Sequence, residues 1–241
     1  MEQAYYRKFF IYMKFPSVCV VIPTKNRPKF ILRALDMVKR QTYKGIIHTI
    51  VVDNSDVLNH ELASRDDCLY FYEKNLTIGA ARNFGCNVKN SDYIIHWDDD
   101  DWYGNTRIEE QITFLEQNKS FGMCATGSYF ALEVGTERCF RLDQNWAGTA
   151  SWCERKDFHD QYPFQDSNKD DNDWYQTYQL LMKSPCPISF MGTEPSEWFV
   201  MICHKSNTSE KHTYNYYDAT NNDVEFTMGS SDYEYYLGLY Q

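Results

Sequence analysis

Tyr93-Ile-Ile-His-Trp-Asp-Asp-Asp-Asp101 carries a short apolar strand straight into four consecutive carboxylates. A strand buried on both faces reads as a near-continuous apolar run, and Tyr93 to Trp97 fits that pattern. Ligands of open α/β sheets gather beyond the carboxyl ends of the strands, where this acidic run falls. Four adjacent carboxylates repel one another, a cost that a cation offsets. Oxygen donors on a tight turn suit Mg²⁺ or Mn²⁺, held by one or two carboxylates together with phosphate groups of a substrate. A calcium loop of the EF-hand type starting at Asp99 finds Asp101, Gly104 and Glu110 at suitable offsets. It places Tyr103 at a ligand position, however, and follows a strand instead of a helix, which excludes it. The alternative left open is a solvated acidic turn.

Upstream of this strand, Ser17-Val-Cys-Val-Val-Ile22 is a second doubly buried strand, closed by Pro23. Pro28 suits the first turn of a helix, and Phe30, Ile31, Ala34, Leu35 and Val38 continue it at helical spacing to about Gln41. Ile46 to Val52 is another β-branched run, ending in Asp53-Asn54-Ser55, and Leu69 to Tyr72 is a shorter one. Gly79 to Val88 reads as a helix of small residues able to lie close to a sheet. Strand and helix alternate, which predicts an α/β fold with a mostly parallel central sheet and helices on both faces.

Downstream, Asn105 is placed to cap a helix with Ile108, Ile112 and Leu115 on one face. Residues 122–142 alternate as strands, 145–170 are loop-rich, and Asp173 to Met182 reads as helix through Trp174, Tyr178 and Leu181. Trp198 to Cys203 is the last clear strand. The tail from Lys205 is rich in Tyr and Asn; its aromatic content argues against disorder, and Ser231-x-x-Glu234 is a capping signal for a short final helix. With neither repeat nor linker, residues 1–241 read as one domain: a half over about 17–116, a second over about 117–204, and a tail over 205–241.

The 241 residues, 43% apolar, suffice for a substantial core. Net charge is −10, from 24 basic and 34 acidic side chains, which disfavours a nucleic-acid binder. The charge is uneven: residues 1–50 hold ten basic and two acidic side chains, a balance of +8 that leaves −18 for the rest. Such blocks steer an anion to one end and a metal ion to the other, or simply form a solvated basic helix face. No apolar run approaches the ~20 residues of a membrane span. Phe9 to Phe15 is short, interrupted by Lys14, and read as a chain end, not a targeting segment. Eight scattered cysteines without a C-x-x-C pair exclude a zinc ribbon and predict a reducing, cytoplasmic setting.

Three segments in order, Val20-Val-Ile-Pro-Thr-Lys-Asn-Arg-Pro28, Ile78-Gly-Ala-Ala-Arg-Asn-Phe-Gly85 and Tyr93 to Asp101, together resemble the inverting, family-2-type glycosyltransferases of the GT-A fold. The likeness covers residues 18–116. It implies a Rossmann-like nucleotide-binding half in which Pro23 and Thr24 line the nucleotide pocket and Arg27 sits near the donor. It further implies that Asp53 bonds the base, where the alternative is a plain turn aspartate. Arg82 is implied at the diphosphate, with pairing to the acidic cluster a compatible alternative. Asp99 would contact the ribose and Asp100 would hold Mn²⁺ or Mg²⁺, with Asp98 an alternative ligand because the register within four aspartates is ambiguous.

In the second half, Gly148-Thr-Ala-Ser-Trp152 and Lys169-Asp-Asp-Asn-Asp-Trp174 are similar to the family's glycine segment followed by an acidic pair. This implies Asp171 as general base, with Asp170 as second choice, to take the proton of an attacking acceptor hydroxyl. Asp170 departs from the commoner Glu, and a helix start attracts acids for electrostatic reasons alone. His204, ending the last strand, is implied near the metal, and Lys205-Ser-Asn-Thr208 would close over the diphosphate. His96, inside the central strand, reads as core. Trp146, Trp152, Trp174 and Trp198 are either sugar-stacking or core residues. The expected activity is transfer of a sugar from a nucleoside-diphosphate sugar, UDP-sugar foremost, to a hydroxyl acceptor such as a glycan. A sugar-phosphate nucleotidylyltransferase and a non-catalytic nucleotide-sugar or glycan-binding domain are the alternatives. The first expects a Gly-rich loop after the first strand, and Pro23-Thr-Lys-Asn-Arg27 has no glycine.

Overall fold

The structure, a computed structural model, describes residues 15–143, 148–168, 179–205, 207 and 216–239. Its centre is β1 (Val18–Thr24), buried along its whole length. β1 pairs in parallel with β2 (Ile47–Asp53) on one side and β4 (Tyr93–His96) on the other, and β3 (Leu69–Tyr72) extends the sheet beyond β2. The two faces of β1 bury into different clusters, as its period of two requires. Val18, Val20 and Ile22 meet α1 (Pro28–Lys39) and α4 (Arg107–Gln117) through Ile31, Leu35, Ile108 and Ile112. Cys19 and Val21 meet Ala81 and Cys86 of α3 (Ile78–Cys86). A Cβ at Gly85 would lie 2.4 Å from Val21 Cγ1, so glycine is what lets α3 lie against the sheet.

Three features depart from the sequence expectations. Residues 153–161, expected as loop, form β9 (Cys153–Arg155) and α5 (Lys156–Gln161). β9 inserts antiparallel between β4 and β6 (Met123–Thr126), and β10 (Ile188–Met191) completes the seven-stranded order β10-β6-β9-β4-β1-β2-β3. Three residues are too few for strand periodicity to register. Second, the last strand, β11 (Phe199–Cys203), leaves this sheet for another of five strands. Its order is β12 (Tyr216–Ala219), β8 (Arg138–Asp143), β7 (Ser128–Glu133), β11 and β5 (Trp102–Tyr103). Because β4 ends at His96 and β5 starts at Trp102, the acidic run is the turn joining the two sheets. Third, α4 begins after Thr106 without a side-chain cap, in place of a start capped by Asn105. Short α2 (His60–Ala63) was below the length that sequence pattern detects.

The tail forms α6 (Asn221–Met228), opened by a reciprocal Thr220–Asp223 capping box, and α7 (Ser230–Gly238). Gly229, at φ 80°, makes the turn between them and caps α7, two residues before Ser231, where the sequence signal had placed the cap. α7 docks on α1 and β5. Asp232 pairs with Arg33 and with Arg40 at 3.2 Å, and accepts the Trp102 indole N–H at 2.7 Å. Tyr236 OH donates to the Asp101 carbonyl at 3.0 Å. The described tail thus packs behind the acidic turn. Asp232→Ala is expected to lower unfolding free energy by about 2–4 kcal/mol, because it strands a half-buried guanidinium and a buried indole N–H. Urea unfolding checks this; a loss under about 0.5 kcal/mol, the level of an ordinary surface change, would show that the anchor lies elsewhere. Among the described residues no helix is long and apolar enough to cross a membrane.

Candidate active site

The carboxyl ends of β1 and β2 and the starts of α1 and α3 enclose a cleft of about 680 Å³, lined among others by Pro23, Thr24, Arg27, Asn54, Thr77 and Asp99. The β1–α1 loop is pinned before it reaches the cleft. Asn26, in the left-handed region at φ 57°, donates its backbone N–H to Ser55 Oγ at 2.7 Å and exchanges side-chain and backbone bonds with Asp56. Pro28 then starts α1 with its fixed φ, leaving the Arg27 side chain directed away from capping. An adjoining pocket of about 360 Å³ is lined by Asp53, Ser55, Val57 and Asn59 with Thr24 and Arg27. Asp53 is buried, accepting the Ser55 N–H at 2.9 Å and the Tyr70 hydroxyl at 2.7 Å.

Each aspartate of the acidic turn has its own surroundings. Asp98, the most exposed, pairs with buried Arg82 at 2.7 Å. Asp99 accepts Thr24 Oγ1 at 2.6 Å and Arg27 Nη1 at 2.9 Å. Asp100 Oδ2 gathers Arg27 Nη1 at 2.8 Å, His204 Nε2 at 3.0 Å and Asn207 Nδ2 at 3.1 Å. Asp101 turns inward and accepts the Ile202 N–H at 2.8 Å, tying the turn to β11. His204 is held from behind by Phe30, whose ring stacks at 4.9 Å and 17°. Asn207 also accepts the His204 N–H, at 2.5 Å.

Asp98, Asp100 and Asp101 each offer an oxygen within 4.8 Å of the others. Burial first, and then the charge of Asp100, push Asp99 up to about 7 despite Arg27. Two guanidinium groups, Arg27 and Arg82, therefore leave this part of the cluster short of positive charge. Oxygen donors of this kind beside one imidazole fit Mn²⁺ or Mg²⁺, with Asp100, Asp98 and His204 as the groups that would hold it.

Beneath α3 lies a separate polar group. Glu154 Oε1 lies 2.8 Å from His96 Nε2 and 2.9 Å from His159 Nδ1, all three being buried. Burial lowers His96 to about 4. Burial also pushes Glu154 up, but the bonds from His159 and His96 outweigh it and hold the carboxyl at about 2. The distal nitrogens, His96 Nδ1 and His159 Nε2, meet no hydrogen-bond partner among the described residues. Hydrogen bonds between Glu154 and the two rings hold the group together.

These shifts oppose one another in pH. A neutral buried His96 favours folding at high pH, and its contribution is lost as pH falls from 6.5 through about 4. Asp99, raised from 3.8 to about 7, favours folding at low pH and loses its contribution as pH rises through that window. In chelator-treated protein, Asp99→Asn is expected to make stability rise with pH between 4 and 7 relative to wild type, by up to about 1.4 kcal/mol per pH unit. Parallel pH profiles in urea unfolding would refute a protonated Asp99.

Of the residues picked from sequence, Pro23, Thr24, Arg27 and Asp99 line the main cleft, Asp53 the adjoining pocket, and Asp100 and His204 meet at its acidic edge. Arg82 rests on Asp98. Asp170 and Asp171 lie outside the described residues, as do Trp146 and Trp174. Trp152 and Trp198 are buried, so they are core and not sugar platforms. Sequence reasoning missed Asn207, which sits inside the flagged Lys205–Thr208 loop, and Asn168. Asn168 lines the cleft and accepts the Ile78 N–H at the start of α3 at 3.0 Å. It also missed Arg107, fully buried with its guanidinium 4.8, 4.4 and 5.6 Å from the ring centres of Trp97, Tyr103 and Trp198.

The chain resembles several known proteins. It is 31% identical over 128 residues to an uncharacterised glycosyltransferase of Methanocaldococcus jannaschii, covering 50% of this chain and 44% of that one. It is 30% identical over 98 residues to glycosyltransferase GlyA of Streptococcus pneumoniae, covering 39% of this chain and 14% of that one. The chain thus spans less than half the length of these curated relatives. Among solved structures, S. aureus TarS superposes with a TM-score of 0.59 at 14% identity, over 77% of this chain and 36% of that one. Its fragment 1–349 in complex with UDP gives 0.57 at 15% identity, over 77% and 60%. That likeness shows the GT-A fold. The sequence model described as glycosyl transferase family 2 matches residues 19–169, more than half of the chain, and the chain belongs to that family.

Proposed function

We propose that this domain is a metal-dependent, inverting glycosyltransferase that moves a sugar from a nucleoside-diphosphate sugar, UDP-sugar foremost, to a hydroxyl of a glycan acceptor. The carrying observation is the acidic turn at the edge of a cleft whose other wall presents Lys25, Arg27 and Lys29. Carboxylates for a cation and cations for a diphosphate face one space. The UDP held by the TarS fragment of the same fold supports the choice of nucleotide. The base enters the pocket beside Asp53, Pro23 and Thr24 line its approach, and Asp99 meets the ribose.

Arg27 receives the diphosphate, a match of planar fork to phosphate oxygens. Arg82 holds Asp98 from below and keeps the turn in place for that charge. Asp100 and His204, with Asp98 beside them, hold Mn²⁺ or Mg²⁺, which when bound neutralises charge on the departing diphosphate. Asp171 takes the acceptor proton, with Asp170 the second choice. The eight free thiols support a reducing, cytoplasmic setting.

Calorimetric titration with UDP, GDP, dTDP and CDP, each with and without Mn²⁺, tests the reading. Binding of UDP that strengthens at least tenfold with Mn²⁺ is the expected result. A folded sample that binds none of the four would remove the donor site.

A further inference from the structure

We propose that Arg27 is the resident counter-cation of the acidic turn, and that it trades Asp99 and Asp100 for the donor diphosphate as the divalent cation enters. The idea rests on the proposed function and adds to it a coupling between metal and nucleotide. Arg27 Nη1 lies 2.9 Å from Asp99 Oδ1 and 2.8 Å from Asp100 Oδ2, so one nitrogen bridges the two carboxylates. Asp100 Oδ2 is also the oxygen that His204 and Asn207 approach, at 3.0 and 3.1 Å. A divalent cation using that oxygen and the guanidinium now on it compete for one place.

The exchange is confined to the side chain. Asn26 anchors the loop to Ser55 and Asp56, and Pro28 fixes the start of α1, so the backbone on either side of Arg27 stays put. The Arg27 side chain is 16% exposed and lines the cleft, so rotation about its own bonds carries the guanidinium from the turn into the space between Lys25 and Lys29. A diphosphate there offers paired anionic oxygens to the guanidinium fork, in place of the two carboxylates that a single nitrogen now bridges. Metal alone must displace a guanidinium that is ion-paired with both Asp99 and Asp100. Nucleotide alone must draw Arg27 from carboxylates that then repel one another. Each ligand removes the other's obstacle, which is positive coupling by linkage.

The experiment measures Mn²⁺ binding without nucleotide, from the electron paramagnetic resonance of free Mn²⁺, for wild type, Arg27→Ala and Arg27→Lys. UDP binding with Mn²⁺ is followed in parallel by calorimetry, and circular dichroism confirms folding. Arg27→Ala is expected to bind Mn²⁺ alone about fivefold or more tightly than wild type, and to bind UDP more weakly in the presence of Mn²⁺. Arg27→Lys, which keeps the charge and loses the fork, should fall between the two. If Arg27→Ala is unfolded, the Lys variant carries the test through the same tightening against wild type. Unchanged or weaker Mn²⁺ binding in the folded variants, with wild-type UDP–Mn²⁺ binding intact, overturns the exchange alone. Absence of both Mn²⁺ and UDP binding in wild type overturns the exchange together with the proposed function.

Discussion

Asp100→Ala is expected to lower sugar transfer by roughly 10²–10⁴-fold and to abolish the Mn²⁺-dependent part of UDP binding. The size follows from the place of this carboxylate. Its Oδ2 gathers Arg27 from the β1–α1 loop and His204 and Asn207 from the segment after β11, so it is the focus of the acidic turn. Removing it takes away an oxygen of the proposed metal site and one partner of the His204 ring, whose side chain is fully buried. Asp100→Asn separates those effects, because it keeps the shape and removes the charge. Calorimetry of both variants with UDP, with and without Mn²⁺, is the check. Metal dependence equal to wild type in both would transfer the role to Asp98, whose pairing with Arg82 leaves it the most exposed of the four.

Asp171→Asn is expected to reduce turnover by about 10²–10⁴-fold, the range of a positioned general base, while UDP–Mn²⁺ affinity stays within about twofold of wild type. The asymmetry between the two readouts is the point: a base acts on the acceptor hydroxyl and makes no contact with the nucleotide. It also separates an enzyme from a domain that only binds its ligands. Initial-rate assays with saturating donor, paired with the same calorimetry, measure both quantities. Full activity in Asp171→Asn would pass the assignment to Asp170, and full activity in both variants would take the base out of this segment.

Much of the donor half was legible because its signals are local. Val18 to Ile22 is apolar at every position, Pro28 sits at the first turn of a helix, and Gly85 is the small residue required where α3 touches Val21. Each states its structural role within one or two turns of chain. The second half was less legible because its elements are defined by partners far away. β9 has three residues and is a strand only because β4 and β6 flank it. β11 looks like one more central strand, yet its register with β7 and β5 takes it into the second sheet. Glu154 would read as a surface residue from its type alone, and only the approach of His96 and His159 explains its burial.

By itself the sequence determined the α/β class, the family resemblance that the match over residues 19–169 bears out, and the position of an acidic run at a strand end. Those depend on hydrophobic period, turn chemistry and residue order, which short-range sterics and burial impose on any chain with this pattern. Only the tertiary structure decided how the four aspartates divide their work. Asp98 meets Arg82, Asp99 and Asp100 share Arg27, and Asp101 turns away to bond β11. Four identical neighbours in a row carry no local signal to tell them apart. Their differences arise from partners 16 to 107 residues distant, and a charge takes its character from what lies within a few ångströms in space.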